Sequence, residues 1–437
     1  MARPAKKKVQ DTPTLTTVDD IIDQDTPAPV KKRTTFRSAV RNTAFDIFSE
    51  EASMQRTKDL MAKVGKGSGF TNATNTSRGF LPVPWLGMQY LIGRPGIPVN
   101  TVVEFIGAEG VGKSSLTFAL MGSFIANNIP CYYVNSEPKA LEPDWQLRLL
   151  GSDEVKAKRI RDIINVQSLN SFEEMDEHMR AWVNIKRDEE KIPIDVPLVM
   201  IVDSVSKLMN PEEFSVSGLA KPKAGEKAVE GLGSLSKKPG VSARWLHDWG
   251  RQLSGYLEAK NLTLIVVSAQ NQNMDAAGAY IKPAEKNNDT CIGGYAMRQI
   301  ACLRFTVTYK GAIKNSRQES VGKEVLLYCK KNSYGPSFRE IKYQLLDDRQ
   351  ENYKTDVPGT YVGQAIDMDA GLAAVMADRR ILGTTVNKKR YSSTKLNAYE
   401  LSAQEFIEHI TSDPDMFKQL TDALSIKGYE YDEEENA

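Results

Sequence analysis

The sequence lacks the features that mark membrane, secreted and zinc-binding proteins. No apolar run is long enough to cross a bilayer, and Met1–Asp25 has no apolar core of the kind found in signal peptides. The four cysteines form no Cys-x-x-Cys pair and the three histidines lie far apart, so no zinc site is predicted. A formal net charge of +1 provides no global field for a polyanion. We therefore expect a cytoplasmic protein with free thiols, no membrane contact and only local basic surfaces.

The composition is that of a globular protein. Hydrophobic residues make up 41% and charged residues 26% of the 437 positions, which is ordinary for folded domains. This length predicts one large domain with appendages, or two to three domains. The Pro-, Thr- and Lys-rich stretch 1–35 is predicted to be disordered, because it offers too little apolar surface to offset the entropy of ordering.

Changes in composition divide the rest of the chain. Residues 36–70 carry apolar side chains at rough helical spacing and predict a helical segment that packs on its own domain or on a neighbouring subunit. A core is expected over 71–350 and a small separate domain over 351–426. The acidic tail 427–437 either competes with DNA for basic surfaces or only aids solubility.

The most informative stretch is Thr101–Ser115. An apolar, β-branched run typical of a buried parallel strand breaks into Gly107–Ser114, a complete match to Gly-x-x-x-x-Gly-Lys-Ser/Thr, and a helix-like run follows. The glycines let successive N–H groups face phosphate oxygens, and the helix N-terminus adds a favourable dipole. A nucleoside triphosphate site is therefore predicted, with a flexible Gly-rich turn as the alternative. The predicted contacts in this loop are Gly107, Ala108, Glu109, Gly110, Val111, Gly112, Lys113, Ser114 and Ser115.

Two residues of this loop have specific predicted tasks. Lys113 would place its charge on the β- and γ-phosphates, and the Ser114 hydroxyl would complete a Mg²⁺ shell.

Three further apolar runs predict parallel strands that deliver polar residues to one edge of an open sheet. These runs lead to Glu137, Asp203 and Gln270. Ligands bind at the carboxyl ends of such strands, where Glu137 would polarise a water, Asp203 would hold Mg²⁺ and Gln270 would sense the γ-phosphate. An exposed loop acid, a chance apolar run ending in Asp and a hydrogen-bonded terminal amide are the respective alternatives. Trp145 would stack on the base or simply occupy the core.

Two irregular, lysine-bearing stretches, Pro211–Gly240 and Asn271–Ile292, follow core strands. Long loops of this kind are usually functional or disordered, and both would face the same side of the sheet. That placement suits a polyanion running past the nucleotide, while solvated loops are the alternative. Their lysines are Lys221, Lys223, Lys227, Lys237, Lys238, Lys282 and Lys286.

The remaining secondary-structure predictions concern both sides of these loops. They comprise a loop-rich stretch at Thr71–Arg94, a hairpin-like strand pair at Ala301–Tyr309 and Glu324–Lys331, a strand at Phe338–Leu346, and helices at Ile366–Leu382 and Ser402–Leu424 around a polar middle.

In this order the parts resemble the RecA recombinase family, from roughly Gln55 to the acidic tail. The resemblance is carried by the phosphate-binding stretch and its lead-in Leu91–Pro98, by Asn135–Pro143, by the Asp203-Ser204 pair and by Lys331–Phe338. It implies an α/β fold: a RecA-type P-loop ATPase core with a central, mostly parallel sheet, an N-terminal helical polymerisation segment and a small C-terminal α/β domain.

The resemblance also implies roles for single residues. Glu137 falls on the catalytic glutamate, Trp145 on an adenine-stacking aromatic and Glu142 on an acidic residue near the base. Gln270 falls on the glutamine that couples the γ-phosphate to DNA binding. Together with Lys113, the implied catalytic residues are thus Glu137 and Gln270.

Three further features of the resemblance concern neighbours and DNA. Lys330 or Lys331 would reach the ATP of the adjoining subunit, although Ser333 stands where the family has a second lysine. The two lysine-bearing loops occupy the places of the family's DNA-binding loops, and the first is longer and more basic than usual. The segment after the second loop adds Gly293, Gly294 and Arg298 to the implied DNA-binding residues.

The implied activity is that of a DNA-dependent ATPase using ATP and Mg²⁺. It would form helical filaments on single-stranded DNA, pair it with double-stranded DNA, and work with single-strand-binding or loader proteins. A RecA-core hexameric helicase, a branch-migration ATPase and a non-catalytic recombinase paralogue are the alternatives. The absence of a cysteine cluster for zinc counts against the first two, and an intact Lys113 and Glu137 count against the third.

Overall fold

The computed structural model describes residues 79–136, 165–209, 241–270, 294–314, 317–346 and 366–428, all within the compact unit Arg78–Ala437. The predicted tail 1–35, the predicted helical segment 36–70 and the whole of both lysine-bearing loops lie outside these residues.

The described part begins with two short paired strands and the short helix that separates them in sequence. Strands β1 (Phe80–Pro82) and β2 (Gly96–Pro98) pair antiparallel, and helix α1 (Leu86–Ile92) lies between them in sequence. The expectation of a loop over this stretch is wrong for α1, which buries six of its residues and ends at Gly93 in the left-handed region. Burial of apolar side chains has outweighed the local signal of the flanking prolines.

Within the described residues, nine strands form one mixed sheet in the order β11-β10-β9-β8-β3-β7-β6-β4-β5. The strands are β3 (Val102–Gly107), β4 (Cys131–Asn135), β5 (Asn165–Ser168), β6 (Leu198–Asp203), β7 (Leu262–Ala269), β8 (Leu303–Lys314), β9 (Ser320–Asn332), β10 (Glu340–Leu346) and β11 (Ile366–Asp367).

The sheet has two halves that differ in strand direction. In the parallel half, β3 to β7 pair in parallel, and every residue of β3 and β6 is buried. In the antiparallel half, β8 to β11 pair antiparallel with one another, while β8 joins β3 in parallel. The strands predicted from continuous apolar runs are confirmed, as is the late hairpin.

Helices cover both faces of the sheet, and alternate residues of each strand point to opposite faces. On one face, Val103 and Phe105 of β3 pack in a cluster with helix α2 (Lys113–Ala126). On the other, Val102 and Ile106 pack in a cluster with helices α3 (Phe172–Asn184) and α4 (Val241–Lys260), which is followed in the chain by α5 (Gly294–Ile300). None of the helices that the structure describes is long and apolar enough to span a membrane.

Residues 366–428 continue the antiparallel half. Strand β11 pairs with β10, and helix α6 (Asp369–Asp378) contributes Leu372 to the same core cluster as α2. The polar stretch between the two helices predicted here is not an irregular loop, because it contains a three-stranded sheet. Its strands are β12 (Thr385–Asn387), β13 (Arg390–Ser393) and β14 (Ala398–Leu401). That 351–426 is a separate domain stays a prediction.

The helix predicted at Ser402–Leu424 is in fact two helices, α7 (Ala403–Ser412) and α8 (Pro414–Ala423). The Asp413 side chain accepts hydrogen bonds from the Asp415 and Met416 N–H groups and caps α8. Proline at the first position of α8 has no N–H to continue the preceding helix, so the break follows from local chemistry.

Candidate nucleotide-binding site

The predicted site residues at the ends of three neighbouring strands meet at the carboxyl-terminal edge of the parallel half. Gly107 ends β3, Asp203 ends β6 and Gln270 follows β7, the strand between them. The Gln270 N–H donates to the Gly107 carbonyl at 3.0 Å, which ties this residue to the start of the phosphate-binding loop. The Ser136 N–H donates to the Asp203 carbonyl at 2.8 Å, so β4 ends at the same edge. The structure thus brings these predicted residues together.

The phosphate loop, defined as Gly107–Gly112, connects β3 directly to α2. Its curl depends on Gly110 and Gly112, which have φ values of 72° and 100°, a region that favours glycine. Gly112 also lies against Leu345 of β10, since a Cβ atom there would sit 2.6 Å from Leu345 Cδ2. This close packing places the loop between the two halves of the sheet.

The Lys113 side chain is buried within the loop. Its ammonium group donates to the carbonyl oxygens of Gly107 at 3.0 Å and Ala108 at 2.6 Å. The residue is 8% exposed, and a buried ammonium must be hydrogen-bonded to be tolerated. These bonds hold the positive charge where the sequence motif predicts phosphate oxygens.

Asp203 is buried and held by a neighbouring tyrosine. The Tyr133 hydroxyl of β4 donates to Asp203 Oδ2 at 2.7 Å, which fixes the orientation of the carboxylate. Ser114 lies in the first turn of α2, at the end of the phosphate loop. A hydroxyl and a carboxylate are the oxygen ligands that Mg²⁺ takes in nucleotide sites, so the donor set fits this ion. Asp203 was predictable as the acid that ends an apolar run, whereas nothing in the local sequence pointed to Tyr133.

A buried ion pair joins the two halves of the sheet beneath the loop. Arg304 Nε of β8 lies 2.5 Å from Glu104 Oε2 of β3, and the Ser268 hydroxyl of β7 donates to Glu104 Oε1 at 2.8 Å. Glu104 is 0% and Arg304 3% exposed. Neither residue has a role predicted from the sequence. The available signal was a single charge of opposite sign in each of two apolar strand runs.

The antiparallel half supplies one lysine to this edge, Lys323, while the predicted Lys330 and Lys331 lie toward the other end of the same strand. Lys323 of β9 donates to the Gly110 carbonyl at 2.8 Å, a contact that the sequence argument missed. Lys331 donates to the Arg298 and Gln299 carbonyls at 2.8 Å and 3.3 Å, near the end of α5, and burial lowers its pKa. Lys330 lies beside it on β9 and is half-buried. Contact of Lys330 or Lys331 with a neighbouring subunit stays a prediction.

Several predicted residues lie outside the described part of the chain. These include Glu137, Glu142 and Trp145, so their catalytic and base-binding roles remain predictions. The same holds for Gly293 and all seven lysines of the two loops. Gly294 begins α5, and Arg298 lies half-buried within that helix.

The cysteines that the structure describes are free thiols, as expected. Cys131 and Cys329 are buried, and burial raises the pKa of both, that of Cys329 to about 12. They are therefore core residues rather than nucleophiles.

The curated proteins that this chain resembles include three named Protein RecA, while no family model matches the chain. The relative from Colwellia psychrerythraea is 28% identical over 299 residues, which cover 68% of this chain and 74% of the relative. That from Pseudomonas putida is 26% identical over 60% of this chain and 62% of the relative. That from Mannheimia haemolytica is 27% identical over 60% of each. With the α/β sheet and its phosphate loop, these similarities support a relationship between this chain and the RecA family.

Proposed function

We propose that this chain is an ATP-dependent DNA recombinase that forms filaments on single-stranded DNA and catalyses homologous pairing and strand exchange. The observation that carries the proposal is the phosphate loop at the edge of the parallel half, flanked by Asp203 and Gln270. The loop by itself supports only a nucleoside triphosphatase. The recombinase activity rests on the similarity to the three RecA proteins.

The loop and its neighbours would bind the triphosphate in a defined way. Lys113 would exchange its bonds to the Gly107 and Ala108 carbonyls for bonds to phosphate oxygens. Ser114 and Asp203 would hold Mg²⁺, which supplies charge neutralisation between the phosphates. Tyr133 keeps the Asp203 carboxylate oriented, and Glu137 is the proposed base that polarises the attacking water.

DNA binding would be coupled to the nucleotide through Gln270. Its backbone is bonded to the first residue of the phosphate loop, and the second lysine-bearing stretch begins at the next residue. A γ-phosphate contact at Gln270 would therefore change the order of that stretch, and hydrolysis would reverse the change. The site would lie between protomers, completed by Lys330 or Lys331 of the adjoining one.

The decisive experiment measures ATP hydrolysis with and without single-stranded DNA and examines the same samples by electron microscopy. We expect DNA-stimulated hydrolysis and helical filaments that need nucleotide. Rings with duplex unwinding would favour a helicase, and filaments that bind ATP without turnover would favour a regulatory paralogue. A chain that stays monomeric with ATP and DNA, or hydrolyses ATP equally without DNA, would contradict the recombinase proposal.

A second experiment tests the first lysine-bearing loop. A variant with glutamine at four of its lysines should bind single-stranded DNA more weakly and with a flatter dependence on salt, since each lost phosphate contact lowers the slope by roughly 0.7. The substituted residues are Lys221, Lys223, Lys237 and Lys238. A matched control replaces exposed lysines of the described surface, Lys191, Lys310, Lys314 and Lys342. Equal slopes for the two variants would remove this loop from the proposal.

A further inference from the structure

The phosphate loop contacts the antiparallel half of the sheet at two points. Lys323 of β9 donates from Nζ to the Gly110 carbonyl at 2.8 Å. Its ladder partner on β10 is Leu345, the residue that packs against Gly112. One cross-strand pair therefore contacts the tip of the loop and the glycine that precedes α2.

The carbonyl contact has a consequence for the loop's donors. A peptide unit is planar and trans, so its carbonyl and the N–H of the next residue point in opposite directions. Because Lys323 holds the Gly110 carbonyl, the Val111 N–H points away from the Lys323 ammonium group. The orientation of such N–H groups is what allows a phosphate loop to bind an anion.

Gly110 is otherwise weakly restrained. Its φ of 72° lies in the left-handed region that glycine enters freely, and no described atom lies within 4 Å of a Cβ atom built there. Side-chain packing thus does little to hold this peptide. The hydrogen bond from Lys323 of β9 restrains the backbone directly.

A second lysine near the loop makes a different kind of contact. Lys207 Nζ lies 3.8 Å from Glu109 Oε1, and the two side chains are 48% and 84% exposed. An exposed pair at this distance is screened by water and contributes little. Lys207 therefore brings a similar charge to the loop without holding its backbone, which makes it a natural control.

We propose that Lys323 is a positioning residue of the nucleotide site, which holds the Gly110 peptide so that the loop is ready to bind the phosphates of a nucleoside di- or triphosphate. The inference rests on the nucleotide-binding part of the proposed function and adds a residue to it. Because Lys323 acts through the loop and not on the γ-phosphate, it strengthens the binding of the diphosphate and the triphosphate alike.

The test measures the dissociation constants for ATP and ADP by isothermal titration calorimetry on the full chain. Lys323→Gln should weaken binding of both nucleotides by a similar factor, roughly tenfold, as for a lost charge-assisted hydrogen bond. Lys323→Arg, which keeps a donor and the charge, should restore most of the affinity. Lys207→Gln removes the same charge beside the loop and should change either constant less than about twofold. Thermal melting establishes that each variant is folded, and Lys323→Met serves if the glutamine variant does not fold.

Three results would overturn the inference: wild-type affinity in Lys323→Gln, an equal loss in Lys207→Gln, or a loss confined to ATP. The second would point to the general field of the lysines, and the third to direct contact with the γ-phosphate. A wild-type chain that binds neither nucleotide would refute the proposed function itself. If the wild-type chain binds both nucleotides and Lys323→Gln binds them equally well, only the positioning role is refuted.

Discussion

The two halves of the sheet bring different chemistry to the same loop. The parallel half ends in the first residue of the phosphate loop, a carboxylate and an amide, at Gly107, Asp203 and Gln270. Among the described residues, the antiparallel half shows no such cluster, and it contributes the Lys323 ammonium group and the packing of Leu345 against Gly112. The difference separates the groups that would bind the nucleotide from those that hold the binding loop in place.

The strands of the two halves also differ in how completely they are buried. Strands β3 and β6 are buried along their whole length, whereas β9 alternates between buried and partly exposed residues. A strand with a half-exposed face can carry lysines without desolvating them fully, while a fully buried strand can carry a charge only if it is paired. Glu104 and Arg304, which join the halves, meet that condition.

The largest expected effect comes from removing the cation of the parallel half. Lys113→Ala should lower ATP hydrolysis by roughly 100-fold or more, because the loop loses the charge placed for the β- and γ-phosphates. Steady-state hydrolysis assays measure the change, with Lys342→Ala as an exposed-lysine control. Full activity in Lys113→Ala would show that this half does not bind the nucleotide as proposed.

The junction between the halves provides the second test. Arg304→Met should lower the free energy of unfolding by about 3–5 kcal/mol, since it leaves the Glu104 carboxylate buried without its partner. Urea denaturation measures the loss. The double variant Glu104→Gln with Arg304→Met should recover part of it, because the unpaired charge is gone. A single variant as stable as the wild type would mean that the pair does not hold the halves together.

A smaller effect is expected at Tyr133, within the parallel half. Tyr133→Phe removes the hydrogen bond that orients Asp203 and should raise the Mg²⁺ concentration for half-maximal hydrolysis roughly 3- to 10-fold. Hydrolysis at saturating Mg²⁺ should change little, which a magnesium titration tests. Tyr132→Phe, on the neighbouring position of β4, is the control. An unchanged titration would show that the Asp203 orientation does not depend on Tyr133.

The last test lies at the far end of the antiparallel half. Burial raises the pKa of the Asp369 carboxyl to about 7, with Asp367 and Glu408 adding to the shift. The folded chain then keeps a proton that the unfolded chain releases near pH 4. The contribution of Asp369 to stability is therefore complete below pH 4 and falls as the pH rises to about 7.

Asp369→Asn removes this titration. Between pH 5 and pH 8 the wild type should lose roughly 2–3 kcal/mol more unfolding free energy than the variant. Thermal and urea denaturation at both pH values measure this difference. Equal losses would place Asp369 in a solvated environment.

The parallel half was largely predictable from the sequence, and the antiparallel end was not. Continuous apolar runs such as Leu198–Asp203 have few alternatives to a buried strand, because a solvated position would lose the free energy gained by burying their apolar side chains. The stretch 385–401 carries polar and charged residues without such a run, and its three strands depend on pairing with one another. Helix α1 was missed for a related reason, since packing of its apolar face outweighed the prolines around it.

Residue types and their spacing were enough to predict the phosphate loop, the strand that precedes it, the helix that follows it, and the polar residues at the strand ends. These are local patterns, in which residue type and spacing dictate backbone shape. The contacts of Lys323 with Gly110, Tyr133 with Asp203 and Arg304 with Glu104 depend instead on how the folded chain packs. Those pairs lie 70 to 213 residues apart along the chain, and no local pattern specifies which strands become neighbours or in what register.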